Sequence, residues 1–171
     1  DAKGTASKPI IMTAKADNIQ ADGTYPATGA SLTVNSRGLW GGLLVLGKAP
    51  SSFKGDVSEL QIEGIPVSDT NGLYGGSVSD DNSGTMQYIS IRHGGAEIGE
   101  GNEINGLTLG GVGSGTVIDH IEVIANVDDG IEFFGGTVNA SYLLVWGQGD
   151  DALDIDQAYS GTVDDAYVIL E

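Results

Sequence analysis

Asp128-Asp129-Gly130-Ile131-Glu132-Phe133 is followed by a copy in the same frame at Asp150-Asp151-Ala152-Leu153-Asp154-Ile155, and Asn105-Gly106-Leu107-Thr108-Leu109 precedes both. Each segment has a turn residue, a small residue and then alternation of apolar and polar side chains with period two, the signature of a short strand after a tight turn. A second frame lies between them: Gly84-Thr85-Met86, Gly115-Thr116-Val117, Gly136-Thr137-Val138 and Gly161-Thr162-Val163, in steps of 31, 21 and 25 residues. The last three continue with apolar residues at equal offsets: Ile121 and Val123, Tyr142 and Leu144, Tyr167 and Ile169. In the Gly84 segment Ile89 and Ile91 fit only if one residue is missing. Short strands that recur every 20 to 25 residues or so between glycine-rich turns, with no helical period, predict stacked coils of an all-β solenoid. Gly106, Gly130 and Ala152 are expected where each coil bends tightly.

The rest of the chain fits one domain over residues 1–171, with regular coils at 83–171 and irregular early coils at 1–82. In the opening half, strands are predicted at Pro9 to Ala14, Leu43 to Leu46 and Leu60 to Glu63. The chain has 28 glycines, no cysteine, and 24 acidic against 7 basic residues, a net charge of −17. Without cysteine there is no disulfide framework, thiolate metal site or cysteine nucleophile. No apolar run approaches the roughly 18 to 20 residues of a membrane helix. The net charge opposes binding to nucleic acid and anionic lipid, which need basic residues to replace counterions. The charge is unevenly placed: Lys3, Lys8, Lys15, Arg37, Lys48 and Lys54 outnumber Asp1, Asp17 and Asp22 in residues 1–54, whereas 55–171 hold 21 acids and the single base Arg92. The composition, lacking cysteine and rich in Asp, Gly, Asn and Thr, reads as a mature or excised piece of a secreted or cell-surface bacterial protein.

Four stretches carry a resemblance: Gly4-Thr5-Ala6-Ser7-Lys8-Pro9-Ile10, Leu39-Trp40-Gly41-Gly42-Leu43, Asn102-Glu103-Ile104-Asn105-Gly106-Leu107-Thr108-Leu109-Gly110-Gly111 and Asp128 to Asn139. They resemble bacterial secreted or surface proteins with right-handed parallel β-helix repeats of the pectin-lyase-like fold. The resemblance implies that fold and an extracellular setting. It supplies no catalytic residues, and fold kinship alone licenses no enzyme.

Acids concentrate in three places: Asp80-Asp81-Asn82, the loop with Glu97, Glu100 and Glu103, and a ladder of Asp128, Asp129 and Glu132 beneath Asp150, Asp151, Asp154 and Asp156. The shared frame sets Asp129 beside Asp151 and Glu132 beside Asp154 on successive coils, roughly 5 Å apart. At an effective dielectric near 20, such a pair repels by roughly 3 kcal/mol. That favours a bound cation or a shared proton, and calcium suits carboxylate and carbonyl oxygens. Asp129, Asp151 and Asp154 are the first candidates for calcium ligands, with Asp80 and Asp81 next; the alternative is a solvated acidic face.

Two enzyme readings use the same residues. Asn126 to Glu132 and Gly149 to Asp154 loosely resemble motifs of β-helical polygalacturonases, where aspartates on neighbouring coils act as acid and base. This makes Asp129, Asp150 and Asp151 the candidates for a glycoside hydrolase, which needs two carboxyl groups at a set separation. A lyase needs a base and a positive neutraliser, for which only Arg92 and His93 are available. Arg92 is expected to pair with the loop glutamates, and His120 beside Asp119 to be a satisfied or surface histidine. A carbohydrate-binding module would use Trp40, Trp146, Tyr74 and Tyr159 as platforms, unless these are core. With Tyr142, Leu144, Tyr167 and Ile169 inward, Leu143, Val145, Val168 and Leu170 are expected to face outward as an apolar stripe. Further coils or a partner subunit at the C-terminal end are expected to cover it.

Overall fold

The computed structural model describes residues 1–55, 57–98 and 103–170. Twelve strands follow in order: β1 (Ala2–Lys3), β2 (Ile10–Met12), β3 (Leu43–Leu46), β4 (Leu60–Gln61), β5 (Leu73–Tyr74), β6 (Thr85–Arg92), β7 (Leu107–Gly110), β8 (Val117–Ile124), β9 (Ile131–Phe134), β10 (Asn139–Trp146), β11 (Leu153–Asp156) and β12 (Val163–Ile169). Among the described residues one 3-10 turn, Thr70–Gly72, interrupts the β structure. The long strands form one parallel sheet, in which β1 and β2 pair with β6, followed by β8, β10 and β12; the short strands form a second in the order β3, β7, β9, β11. Alternation between the two sheets builds the coils of a right-handed parallel β-helix, the handedness that parallel crossovers adopt. Among the described residues no helix is long and apolar enough to cross a membrane.

The register follows the Asn105, Asp129 and Asp151 frame as the sequence predicts: Leu107, Ile131 and Leu153 stack, as do Leu109, Phe133 and Ile155. Inward side chains of both sheets, among them Ile89, Ile91, Leu107, Ile121, Val123, Ile131 and Phe133, form one continuous buried core. Each such side chain contributes about 1.5 to 3 kcal/mol by leaving water.

The long strands depart from the predicted frame, by one residue at each of the first two steps and by two at the last. Val117 pairs with Thr85 and Asn139, and Ala140 with Val163, so Thr85 and Thr162 share a column while Thr116 and Thr137 fall outside it. Each long strand also carries a left-handed residue in one shared column: Tyr88 (φ 51), His120 (φ 53), Tyr142 (φ 55) and Asp165 (φ 53). It adds an outward residue to each strand and bends it, so the alternation changes phase. Leu143 and Val145 therefore point inward, only 2% and 1% exposed, and Tyr142, Tyr167 and Trp146 point outward. The expected apolar stripe is corrected accordingly. Val168 stacks on Val145 and belongs to the inner side of the last rung, and Leu170 lies exposed beyond the strand.

The outward residues of this bend form a ladder. Tyr88 stacks on His120 with ring centroids 4.3 Å apart, and His120 on Tyr142 at 4.5 Å. These spacings match the separation of adjacent strands, about 4.8 Å. A non-glycine residue in the left-handed region costs about 1 to 2 kcal/mol, which the stacked rings offset.

The opening half supplies one coil and a cover rather than several coils. β1 and β2 extend the first sheet and β3 the second, but β4 pairs antiparallel with β5 outside the solenoid. From this hairpin region Ile62 and Tyr74 pack on Phe134, with Leu44, Leu46, Phe53 and Ile65 around them. The outer face of the second sheet is thereby roofed. The acidic loop with Glu97, Glu100 and Glu103 lies partly outside the described residues.

Candidate functional site

The roof changes the chemistry of the side chains beneath it. Thr108, Glu132 and Asp154 occupy one outward column of the second sheet. Thr108 and Glu132 are buried although they face away from the core. They line a cavity of about 20 Å³ with Glu63, Glu103, Ile104, Asn105, Asp128 and Phe134. A void of that size holds about one water or one ion.

Among the described residues two carboxylate groups meet here and share Asp129. Asp128, Asp129 and Asp150 form one, Asp129, Glu132 and Asp154 the other; in each, one oxygen per residue lies within 4.8 Å of the others. Asp129 is fixed by the turn: its Oδ1 accepts the Asp151 N–H at 2.8 Å, and its carbonyl accepts Asn126 Nδ2 at 2.9 Å. Asn105 Nδ2 donates to Glu132 Oε2 at 2.5 Å. Among the described residues the buried Asn105 Oδ1 has no hydrogen-bond partner. Burial, followed by neighbouring acids, pushes the Glu132 carboxyl up to about 8 against an opposing hydrogen bond from Asn105. Burial likewise pushes Asp129 up to about 6. Asp128 is also raised, by burial first and then by Glu103 and Asp150.

The structure brings Asp129 together with Asp154 and with Asp150, and sets Glu132 level with Asp154 on the next coil. Asp151 contributes its backbone N–H and is in neither carboxylate group. Asp80 and Asp81 are likewise in neither; Asp81 Oδ2 accepts the Ser83 hydroxyl at 2.9 Å. Glu132 and Asp128 take the places that sequence reasoning gave to Asp151, and Glu63 and Asn105 were missed. Asn105 was legible as the third member of the Asp129 and Asp151 column. Glu63 was not, because nothing in the sequence says that the hairpin folds back.

A family model described as a pectate-lyase-like beta helix domain matches residues 1–171. The chain belongs to this family. Neither the curated proteins nor the solved structures give a match to it. In this pectate-lyase-like β-helix domain the residues considered for lyase chemistry are held elsewhere. Arg92, expected to pair with the loop glutamates, donates to Glu122 Oε1 at 3.1 Å and to Ser90 Oγ at 2.7 Å. His93 is buried with Nδ1 2.7 Å from the Ser36 carbonyl. His120 Nδ1 meets Asp119 Oδ1 at 2.5 Å. The aromatic platforms are mostly structural: Tyr74 is buried, Tyr159 packs on Phe133, and Trp40 Nε1 donates to the Arg92 carbonyl at 2.6 Å.

Proposed function

We propose that this β-helix domain is a non-catalytic structural or adhesive module of a secreted or cell-surface protein, and that calcium binds between its acidic turns. The observation that carries the reading is the convergence of Asp129, Glu132 and Asp154 within 4.8 Å beside a cavity of about 20 Å³. Calcium binds oxygens at 2.3 to 2.6 Å, so two ligands of one ion lie at most roughly 5 Å apart. The buried Asn105 Oδ1, unpaired among the described residues, offers a neutral oxygen to the donor set. A cation also answers the electrostatics, since three carboxylates this close repel by about 3 kcal/mol per ionised pair.

The cavity is far below the several hundred Å³ that small-molecule sites occupy. That weighs against a sugar ring reaching Glu132, and Asp151, standing outside both carboxylate groups, weighs against the hydrolase built on Asp129, Asp150 and Asp151. The open edge of β12, with Val168 and Leu170 exposed, supports the expectation of further coils or a partner subunit there. Calorimetric titration of chelator-treated protein with calcium chloride tests the binding. Heat of binding and a raised Tm are expected; their absence, with an unchanged Tm, would leave only a solvated acidic face.

A further inference from the structure

We propose that the outer face of the last coil holds a binding slot for an arginine side chain of a basic partner protein, built from Tyr142, Asp165, Tyr167 and Leu144. The proposal goes beyond the calcium site and stands independently of it. The ring ladder Tyr88, His120, Tyr142 stacks one face on the next at 4.3 and 4.5 Å. The next left-handed position is Asp165, which carries no ring. The ladder therefore ends on Tyr142, which is 52% exposed, with a carboxylate on the rung beyond it. A groove of about 290 Å³ opens at this break, lined by Tyr142, Leu143, Leu144, Asp165 and Tyr167. Tyr167, one strand over from Leu144, is 74% exposed and forms the other wall.

A ligand for this slot needs a flat face to continue the stack, hydrogen-bond donors for Asp165 and a charge that suits an acidic surface. Guanidinium satisfies all three: it is planar, it stacks on aromatic faces and it donates two parallel hydrogen bonds to a carboxylate. Its aliphatic stem suits the Leu144 and Tyr167 wall. Charge selects in the same sense. Asp165 lines the slot, and residues 55–171 hold 21 acids against one base. An ammonium offers charge without the planar fork, and a neutral sugar offers a stacking face without charge. The slot is therefore expected to rank arginine above both.

The test is NMR titration of the folded chain, following the Tyr142 and Tyr167 ring signals, with three probes: a Gly-Arg-Gly peptide, Gly-Lys-Gly and a neutral hexasaccharide. The arginine peptide should bind in the range of about 1 mM, fivefold or more tighter than the lysine peptide, and weaken as salt rises. Asp165→Asn, which keeps a side chain tolerant of the left-handed conformation, should weaken arginine binding about tenfold. Tyr142→Ala should weaken it similarly, with circular dichroism confirming the fold. Equal binding of lysine and arginine, an Asp165→Asn variant that binds arginine like the parent, binding of the hexasaccharide in preference, or no ring shift up to 20 mM peptide, roughly twentyfold above that range, would each overturn the proposal.

Discussion

The two outer faces of this solenoid carry stacked polar side chains in register, and they behave oppositely. On the first sheet Tyr88, His120 and Tyr142 stack in the open. On the second sheet Glu132 and Asp154 stack at the edge of a roof, and Glu132 is driven far from its ordinary titration range by burial. The backbone repeats equally in both. What differs is the hairpin with Ile62 and Tyr74, which removes water from one face only. Stacking sets which groups meet, and solvent access decides what the meeting costs.

Removing the roof should erase the contrast. Tyr74 is buried, packs edge-on against Phe53 and Phe134, and donates its hydroxyl to Gln157 Oε1 at 2.7 Å. Tyr74→Ala should cost about 3 to 5 kcal/mol in urea unfolding. In the same variant the Glu132 carboxyl should titrate near the ordinary glutamate value by carbon-detected NMR. A retained high value would show that the neighbouring acids, and not the roof, raise it.

The second test is pH. Asp129 and Glu132 titrate in the folded chain at about 6 and about 8, above their unfolded values. The folded state therefore binds their protons more tightly than the unfolded state. Their contribution to stability is fully present below about pH 4 and is lost as pH rises through 6 and then 8. In chelator, Tm should fall across this window; with calcium the fall should shrink, because the ion takes the protons' place. Glu132→Gln should flatten the upper part of the profile and raise stability in chelator at pH 8.5 by on the order of 2 kcal/mol, while weakening calcium binding. A profile equally steep in the variant would assign the fall to other groups.

The smallest effect belongs to the open face. His120→Ala should cost about 1 to 2 kcal/mol, from the loss of two stacked contacts. His120→Gly should cost no more than alanine, against the usual order in strands, because glycine meets φ 53 without strain. Thermal unfolding of the pair measures this directly, and a glycine variant markedly below alanine would remove left-handed strain from the account.

The short-strand rungs were legible because Gly106, Gly130 and Ala152 mark the same tight bend and the alternation after them is unbroken. The long-strand rungs were misread because the Gly-Thr frame marks different places in successive turns, Thr85 being level with Val117 and Val117 with Asn139, and because a left-handed tyrosine or histidine, which shifts the alternation within each strand, has no sequence signature. Glycine advertises that conformation, whereas Tyr88, His120 and Tyr142 adopt it with their rings stacked on one another. The carboxylate site was half legible for a similar reason. The ladder of Asp129, Glu132 and Asp154 follows from the repeat, whereas Glu63 arrives through a fold-back that depends on distant apolar contacts.

The middle coils also bear on how such a chain grows. Ile121 meets Leu143 one coil on, a step of 22 residues, and from β8 to β10 the bend, the inward residues and the turns recur at equivalent places. A duplicated gene segment encoding one coil would enter between neighbours that already match its two faces. Lengthening by copying would then disturb neither register nor core, and the copied acids could diverge freely wherever no roof lies above them.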